Sequence, residues 1–212
     1  MTDIFDLFKK ISLPAPDRGA PEFLVVGLGN PGKEYVYTRH NAGFLAMDYM
    51  TEKRQLGDLR QLKFHALVLD TSLASRRVLL MKPQTYMNAS GEAVREAADF
   101  YRIPPDRILV ISDDAAQEPG RMRIRKSGSD GGQKGLRSII EHLGTDAFPR
   151  IRIGVGIKPN PEIPMADWVL GKIPEQDREK LFSVFACVSD AVPMLLEGRI
   201  DDAMGRFNGV RF

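Results

Sequence analysis

The sequence predicts an α/β fold: a single three-layer α/β/α domain built on a mixed, mostly parallel twisted sheet. Three observations carry that expectation. Short runs rich in Val, Leu and Ile at residues 22–28, 107–112 and 151–155 read as buried strands. Segments with helical apolar spacing lie between them, at 42–54, 92–101 and 134–143. A chain of 212 residues can bury one sizeable core, which makes one domain the default.

In chain order, residues 1–21 carry Ile4, Phe5, Leu7, Phe8 and Ile11, interrupted by Asp3, Asp6, Lys9 and Lys10 and cut by Pro14 and Pro16. They read as a flexible N-terminal extension with one short amphipathic turn, because a secretory leader would have an unbroken apolar stretch behind positive charge. The domain is expected over 22–212. Its first strand, 22–28, leads into a glycine-rich turn and a loop to His40. A helix over 42–54 has Leu45, Tyr49 and Met50 at helical spacing and ends in Lys53 and Arg54, cations that suit a helix C-terminus. Residues 64–69 and 77–81 read as the strands of a hairpin, 83–91 as a loop, and 92–101 as a helix closed by Pro104-Pro105.

The strand at 107–112 sets Asp113-Asp114 at its carboxyl end, where α/β sheets usually carry their reactive groups. A strand at 121–125 puts Arg121, Arg123 and Arg125 on one face, because side chains alternate with period two. Residues 128–132 form a glycine-rich turn, 134–143 a helix, and 151–155 the strand that closes the sheet. After a proline-punctuated loop, 175–196 is helical with a kink at Pro193, and a short charged tail follows.

Composition narrows the function. Hydrophobic residues make up 43% and charged residues 27%, which is a folded rather than a disordered balance. No uncharged apolar run approaches the roughly 20 residues of a membrane-spanning helix, so no membrane partner is expected. The single cysteine, Cys187, precludes an internal disulfide and a cysteine-rich zinc site, and a cytoplasmic location is expected. Thirty Lys+Arg against 28 Asp+Glu does not by itself announce a nucleic-acid partner.

The chemistry narrows by elimination. Gly27-Leu28-Gly29-Asn30-Pro31-Gly32 fits G-x-G-x-x-G with Asp48 about twenty residues on, but residues 33–40 separate it from the next helix. A dinucleotide would need that helix at the glycines, so the turn is read as aiming Asn30. His40, His65 and His142 have no acidic or cysteine neighbours at metal-ligand spacing, so neither a metal nor a cofactor is expected. No Gly-x-Ser-x-Gly elbow exists, and Cys187 sits in an apolar helix. One histidine at a loop-to-helix junction, a carboxylate at a strand end and loop asparagines Asn30 and Asn88 remain. That set suits attack by water: an imidazole takes the proton, a carboxylate orients it, and amide N–H groups support the oxyanion.

Residues 26–44, Val-Gly-Leu-Gly-Asn-Pro-Gly-x-x-Tyr-x-x-Thr-Arg-His-Asn-Ala-Gly-Phe, resemble the signature of bacterial-type peptidyl-tRNA hydrolases. Residues 82–91, Lys-Pro-Gln-Thr-Tyr-Met-Asn-Ala-Ser-Gly, are similar to a second block of that family, and Ser112-Asp113-Asp114 with Pro119-Gly120 to a third. The resemblance implies metal-free hydrolysis of the ester joining a peptide to the 3′-terminal ribose of tRNA. It implies His40 as general base, Asp113 as its orienting carboxylate, and Asn30 and Asn88 as amides at the substrate end. Tyr35 would line the nucleotide end, Tyr86 and Met87 an apolar peptide pocket, and Arg125 with Arg152 a clamp for the tRNA 5′-phosphate.

One departure stands out. The family's Gly-Gly-His-Asn-Gly turn reads Gly131-Gly132-Gln133-Lys134-Gly135 here, which brings Lys134 in as a further candidate for holding substrate. The expected partner is peptidyl-tRNA, met at its acceptor end and 5′-phosphate by a monomer with no obligate protein partner. Two alternatives compete: a catalytically silent RNA-binding relative of the same fold, and a nucleotide-dependent enzyme resting on the glycine pattern.

Overall fold

The structure is a computed structural model that describes residues 19–212; the expectation of a flexible extension falls almost wholly outside them. Among the described residues seven strands form one sheet: β1 (Phe23–Gly27), β2 (Gln61–Lys63), β3 (Ala66–Leu73), β4 (Arg76–Pro83), β5 (Ile108–Asp114), β6 (Met122–Arg125) and β7 (Arg150–Gly154). Their order is β2-β3-β4-β1-β5-β7-β6. The central strands β4, β1, β5 and β7 pair in parallel, whereas β2 with β3, β3 with β4, and β6 with β7 pair antiparallel. Only β3 and β6 therefore run against the rest, so five of seven strands share one direction and the mixed, mostly parallel sheet is as expected. β7 does not close the sheet; it lies between β5 and β6, and β6 forms the edge.

Helices cover both faces: α1 (Ala42–Lys53), α2 (Ser90–Tyr101), α3 (Lys134–Leu143), α4 (Met165–Leu170), α5 (Glu175–Leu196) and α6 (Ile200–Phe207). Period two divides the core between them. Val25, Leu109, Ile111, Ile151 and Ile153 pack against α1, α5 and α6, while Leu24, Val26, Ile108 and Val110 pack against α2 and α3. This is the pattern of central strands buried on both faces, and it produces the three layers. No helix among the described residues is long and apolar enough to cross a membrane.

The parallel strands end together at Gly27, Pro83, Asp114 and Gly154, and the loops leaving that edge build the site. Close approach of α1 to β1 fixes the first of them. A Cβ on Gly43 would stand 2.4 Å from the Ile111 carbonyl oxygen and 2.5 Å from the Leu28 nitrogen, whereas one on Gly205 in α6 would meet nothing within 4 Å. Gly43→Ala is therefore expected to destabilise the protein by roughly 1–3 kcal/mol through overpacking. Gly205→Ala is expected to gain about 0.5–1 kcal/mol from helix propensity. Denaturant melts of the two variants should move in opposite directions; equal midpoints would show that α1 is not held by this contact.

Candidate active site

His40 stands in a single 3₁₀ turn, Arg39–Asn41, whose three residues are all buried just before α1. Asn41 occupies the position where a helix cap is common, yet it makes no cap bond. Its side chain instead clasps Asn30: Oδ1 accepts from the Asn30 N–H at 2.9 Å, and Nδ2 donates to the Asn30 carbonyl at 3.0 Å. The Asn41 clasp thus holds Asn30 in place within the glycine-rich turn. Asn30 Oδ1 accepts the Met87 N–H at 2.7 Å, and this fixes the amide so that its NH₂ is the end left for a ligand. Tyr86 supplies that alignment at a conformational cost, with φ +57° and ψ 162°, a region seldom used by side-chain-bearing residues.

From the other side α4 and the residues that follow it strap the histidine turn. Thr38 bridges Lys172, the Arg39 N–H donates to the Gly171 carbonyl, and the Arg39 guanidinium stacks over Trp168 at 3.7 Å from the ring centroid. Burial lowers the Arg39 pKa from the ordinary arginine value, and Asp177 opposes that shift.

The chemistry centres on a buried chain of three side chains. His40 Nδ1 is 2.9 Å from Asp113 Oδ2, and Asp113 Oδ1 accepts from Gln133 Nε2 at 3.0 Å. The residues are 7%, 2% and 6% exposed, so water does not compete for these bonds. Gln133 has no freedom to flip: its Oε1 caps α3 by accepting the Leu136 N–H at 2.7 Å, which turns the NH₂ toward Asp113 and the Met87 sulfur. Asp113 accepts from both sides and is therefore assigned as carboxylate. The His40 proton is then on Nδ1, which leaves Nε2 with its lone pair as the nitrogen free to act. The sequence marks Gln133 only as a departure from the family turn; glutamine is not a favoured cap, so its position carries no signal of this double role.

A cleft of about 570 Å³ opens over this chain. Asn30, His40, Met87, Asp113 and Gln133 form its floor and Tyr86, Asn88, Lys134 and Arg152 its sides, with Met165, Val169 and Leu170 of α4 as an apolar wall. Asn88 and Lys134 are exposed, and neither has a side-chain hydrogen bond or ion pair among the described residues. Arg152 Nε lies 3.1 Å from Asp114 Oδ2, though not aligned for a hydrogen bond, and its guanidinium occupies the space a Cβ on Gly131 would fill. Asp114 is itself held by Gln117 and the Ala116 N–H, so the second carboxylate of the strand end serves Arg152 rather than His40.

Two candidates fall outside the cleft wall. Tyr35 touches it only through Tyr86, edge to face at 6.4 Å between ring centroids. Arg125 lies opposite Arg150 on β6, on the same strand face as Arg152 but two residues farther along, and donates to the Ile124 carbonyl. Arg150 is structural: 1% exposed, it donates to the carbonyls of Gly128, Ser129, Asp146 and Phe148, tying down the turn before α3. The same turn is held by Asp130, whose carboxyl is kept below the usual range by Arg137 and the Gly132 N–H. His65 pairs with Glu96 on the surface and His142 with the Ser138 carbonyl. Burial raises the Cys187 thiol pKa, which leaves it a poor nucleophile. Among the described residues no group of three or more His, Cys, Asp or Glu side chains is placed to hold a metal ion.

Fold and cleft together define a single-domain α/β enzyme of the hydrolase class. Residues 24–212 match the peptidyl-tRNA hydrolase family, and the chain belongs to that family. The peptidyl-tRNA hydrolase of Clostridium novyi (strain NT) is 48% identical over 189 residues, spanning 89% of this chain and 99% of that protein. That of Caldicellulosiruptor bescii is 46% identical over 188 residues, spanning 89% and 97%. A crystal structure of peptidyl-tRNA hydrolase from Acinetobacter baumannii aligns with a TM-score of 0.83 at 35% identity, covering 91% of this chain and 98% of that one.

Proposed function

We propose that this chain cleaves the ester between a peptide and the 3′-terminal ribose of tRNA by water attack, with His40 as general base. The observation that carries the reading is the His40–Asp113–Gln133 chain, which leaves Nε2 as the only ring nitrogen able to take a proton. Water held at Nε2 attacks the ester carbonyl carbon as its proton passes to His40. The Asn30 amide NH₂ stabilises the developing oxyanion. Collapse breaks the bond to the ribose oxygen, which takes the proton from His40 and leaves as the free hydroxyl. Asp113 holds the imidazole through both transfers.

The peptide would lie against Met87, Val169 and Leu170, and the tRNA end between Tyr86, Asn88 and Lys134, with Tyr35 behind Tyr86. Arg152 is the phosphate contact at the cleft, and Arg125 extends the basic face for tRNA that continues beyond it. The working unit is a cytoplasmic monomer that needs no metal and no protein partner, returning tRNA to translation. The second reading, a catalytically silent RNA-binding relative, has no use for a buried histidine–carboxylate pair whose Nδ1 and carboxylate oxygens are held while Nε2 is left free, since buried polar chains are costly unless complete.

The test is release of labelled peptide from peptidyl-tRNA by the purified protein with a chelator present; loss of release on chelation would overturn the metal-free mechanism. Arg152→Ala and Lys134→Asn are each expected to raise KM and to lower the slope of log KM against log salt by about 0.7–0.9 if each contacts one phosphate. Slopes identical to wild type would return both side chains to the solvated surface.

A further inference from the structure

A second cavity, of about 480 Å³, lies on the far side of α4. The helix is the partition: Met165, Val169 and Leu170 face the catalytic cleft, whereas Trp168 lines the second cavity. Arg39, Arg121, Lys180 and Arg211 line it as well, against Glu118 and Asp177 as acids. Among the described residues none of the four cations forms an ion pair, and the lining side chains keep two net positive charges, four minus two. Arg121 belongs to the predicted basic strand face and has no part in the hydrolytic site; it precedes β6 and lines this cavity instead.

Arg39 shows most directly what is missing. It is 8% exposed, its Nη1 donates to the Trp168 carbonyl at 3.3 Å, and its buried Nε has no partner among the described residues. A guanidinium carries five donors in a rigid fork, and the Arg39 Nη2 end, neither buried nor hydrogen-bonded among the described residues, is the part an anion in the cavity can meet. The indole against which it stacks is fixed in turn, since Trp168 Nε1 donates to the Gly156 carbonyl at 2.9 Å. A tetrahedral phosphate anion suits such a site, accepting from a planar fork and offsetting the excess of cationic side chains.

We propose that this cavity is a binding site for a phosphate group, held by Arg39, Arg121 and Lys180 behind the helix that walls the active cleft. The group is either a phosphate of the tRNA substrate, which rests on the function proposed above, or free inorganic phosphate, which does not. Trp168 is the chain's single tryptophan and lines this cavity and not the catalytic cleft, so its fluorescence is the readout placed here. Inorganic phosphate is titrated against the intact protein at constant ionic strength, with chloride as the control anion and ³¹P line width as a second readout.

Saturable binding is expected, weakened at least about tenfold in the Arg121→Ala, Lys180→Ala double variant, as for loss of two charge-assisted contacts. If deacylated tRNA displaces the phosphate and the double variant lowers the slope of log KM against log salt by about 1–2 units, the group is carried by tRNA. If phosphate binds but tRNA neither displaces it nor shifts that slope, the site serves the free anion. Absence of phosphate-specific change in both readouts, with an unaltered salt slope, would overturn the proposal and leave the hydrolytic assignment standing.

Discussion

Asp113→Asn is expected to lower kcat by roughly 10³–10⁴-fold while leaving the fold in place, because it hands His40 the wrong tautomer. The reason lies in Gln133. Its Oε1 is committed to the Leu136 N–H, so its NH₂ must stay toward position 113. The new amide can satisfy that donor only with its oxygen, and so must present its own NH₂ to His40 Nδ1. That nitrogen then becomes an acceptor, the proton moves to Nε2, and the lone pair needed to activate water is lost. Steady-state kinetics on peptidyl-tRNA beside a thermal melt would separate this from unfolding. A variant with wild-type kcat would reduce Asp113 to a packing role.

The largest stability loss is expected from Arg150→Met, although nothing about the chemistry calls for Arg150. Its guanidinium is desolvated enough to sit below the ordinary arginine pKa, stacks on Phe148 at 4.2 Å, and supplies donors to four backbone carbonyls. Methionine fills much of the volume and none of the donors. With about 1–3 kcal/mol for each buried acceptor left unpaired, and partial rescue by water, a net loss of roughly 2–4 kcal/mol follows. At ~2–4 °C per kcal/mol for a chain of this size, Tm should fall by about 5–15 °C. Because Gly128 and Ser129 belong to the turn that delivers Gln133 and Lys134, KM for peptidyl-tRNA should rise with it. An unchanged Tm would mean that the carbonyls find other donors.

The central sheet was legible because burial on both faces writes itself into sequence as short apolar runs, and α3 and α5 were legible to the residue from glycine and proline punctuation. What escaped did so for physical reasons. β2 is three residues long and turns into β3 through Phe64 and His65, both at positive φ without the Asn or Gly that usually marks such a turn. α4 has six residues inside a proline-rich stretch, and α6 looked like a charged tail although Ala203 and Phe207 enter the core. At the site, His40, Asp113 and Asn30 were identifiable because their residue types and element ends suit water chemistry. The supports were not: Gln133 as cap and donor, Asp114 beneath Arg152, and Trp168 beneath Arg39 are long-range pairings that no local pattern records. Arg150 lay in the same basic run as Arg152, and only the turn folded against it shows that it points inward.

In the proposed reaction everything turns on His40 Nε2 taking the proton from the attacking water. The most direct measurement is single-turnover release of labelled peptide from peptidyl-tRNA by His40→Ala at saturating enzyme, with chelator present and tRNA affinity measured in parallel. A rate lowered by roughly 10²–10⁴-fold at unchanged affinity is expected, the loss for removing a general base. Undiminished turnover in His40→Ala would contradict it.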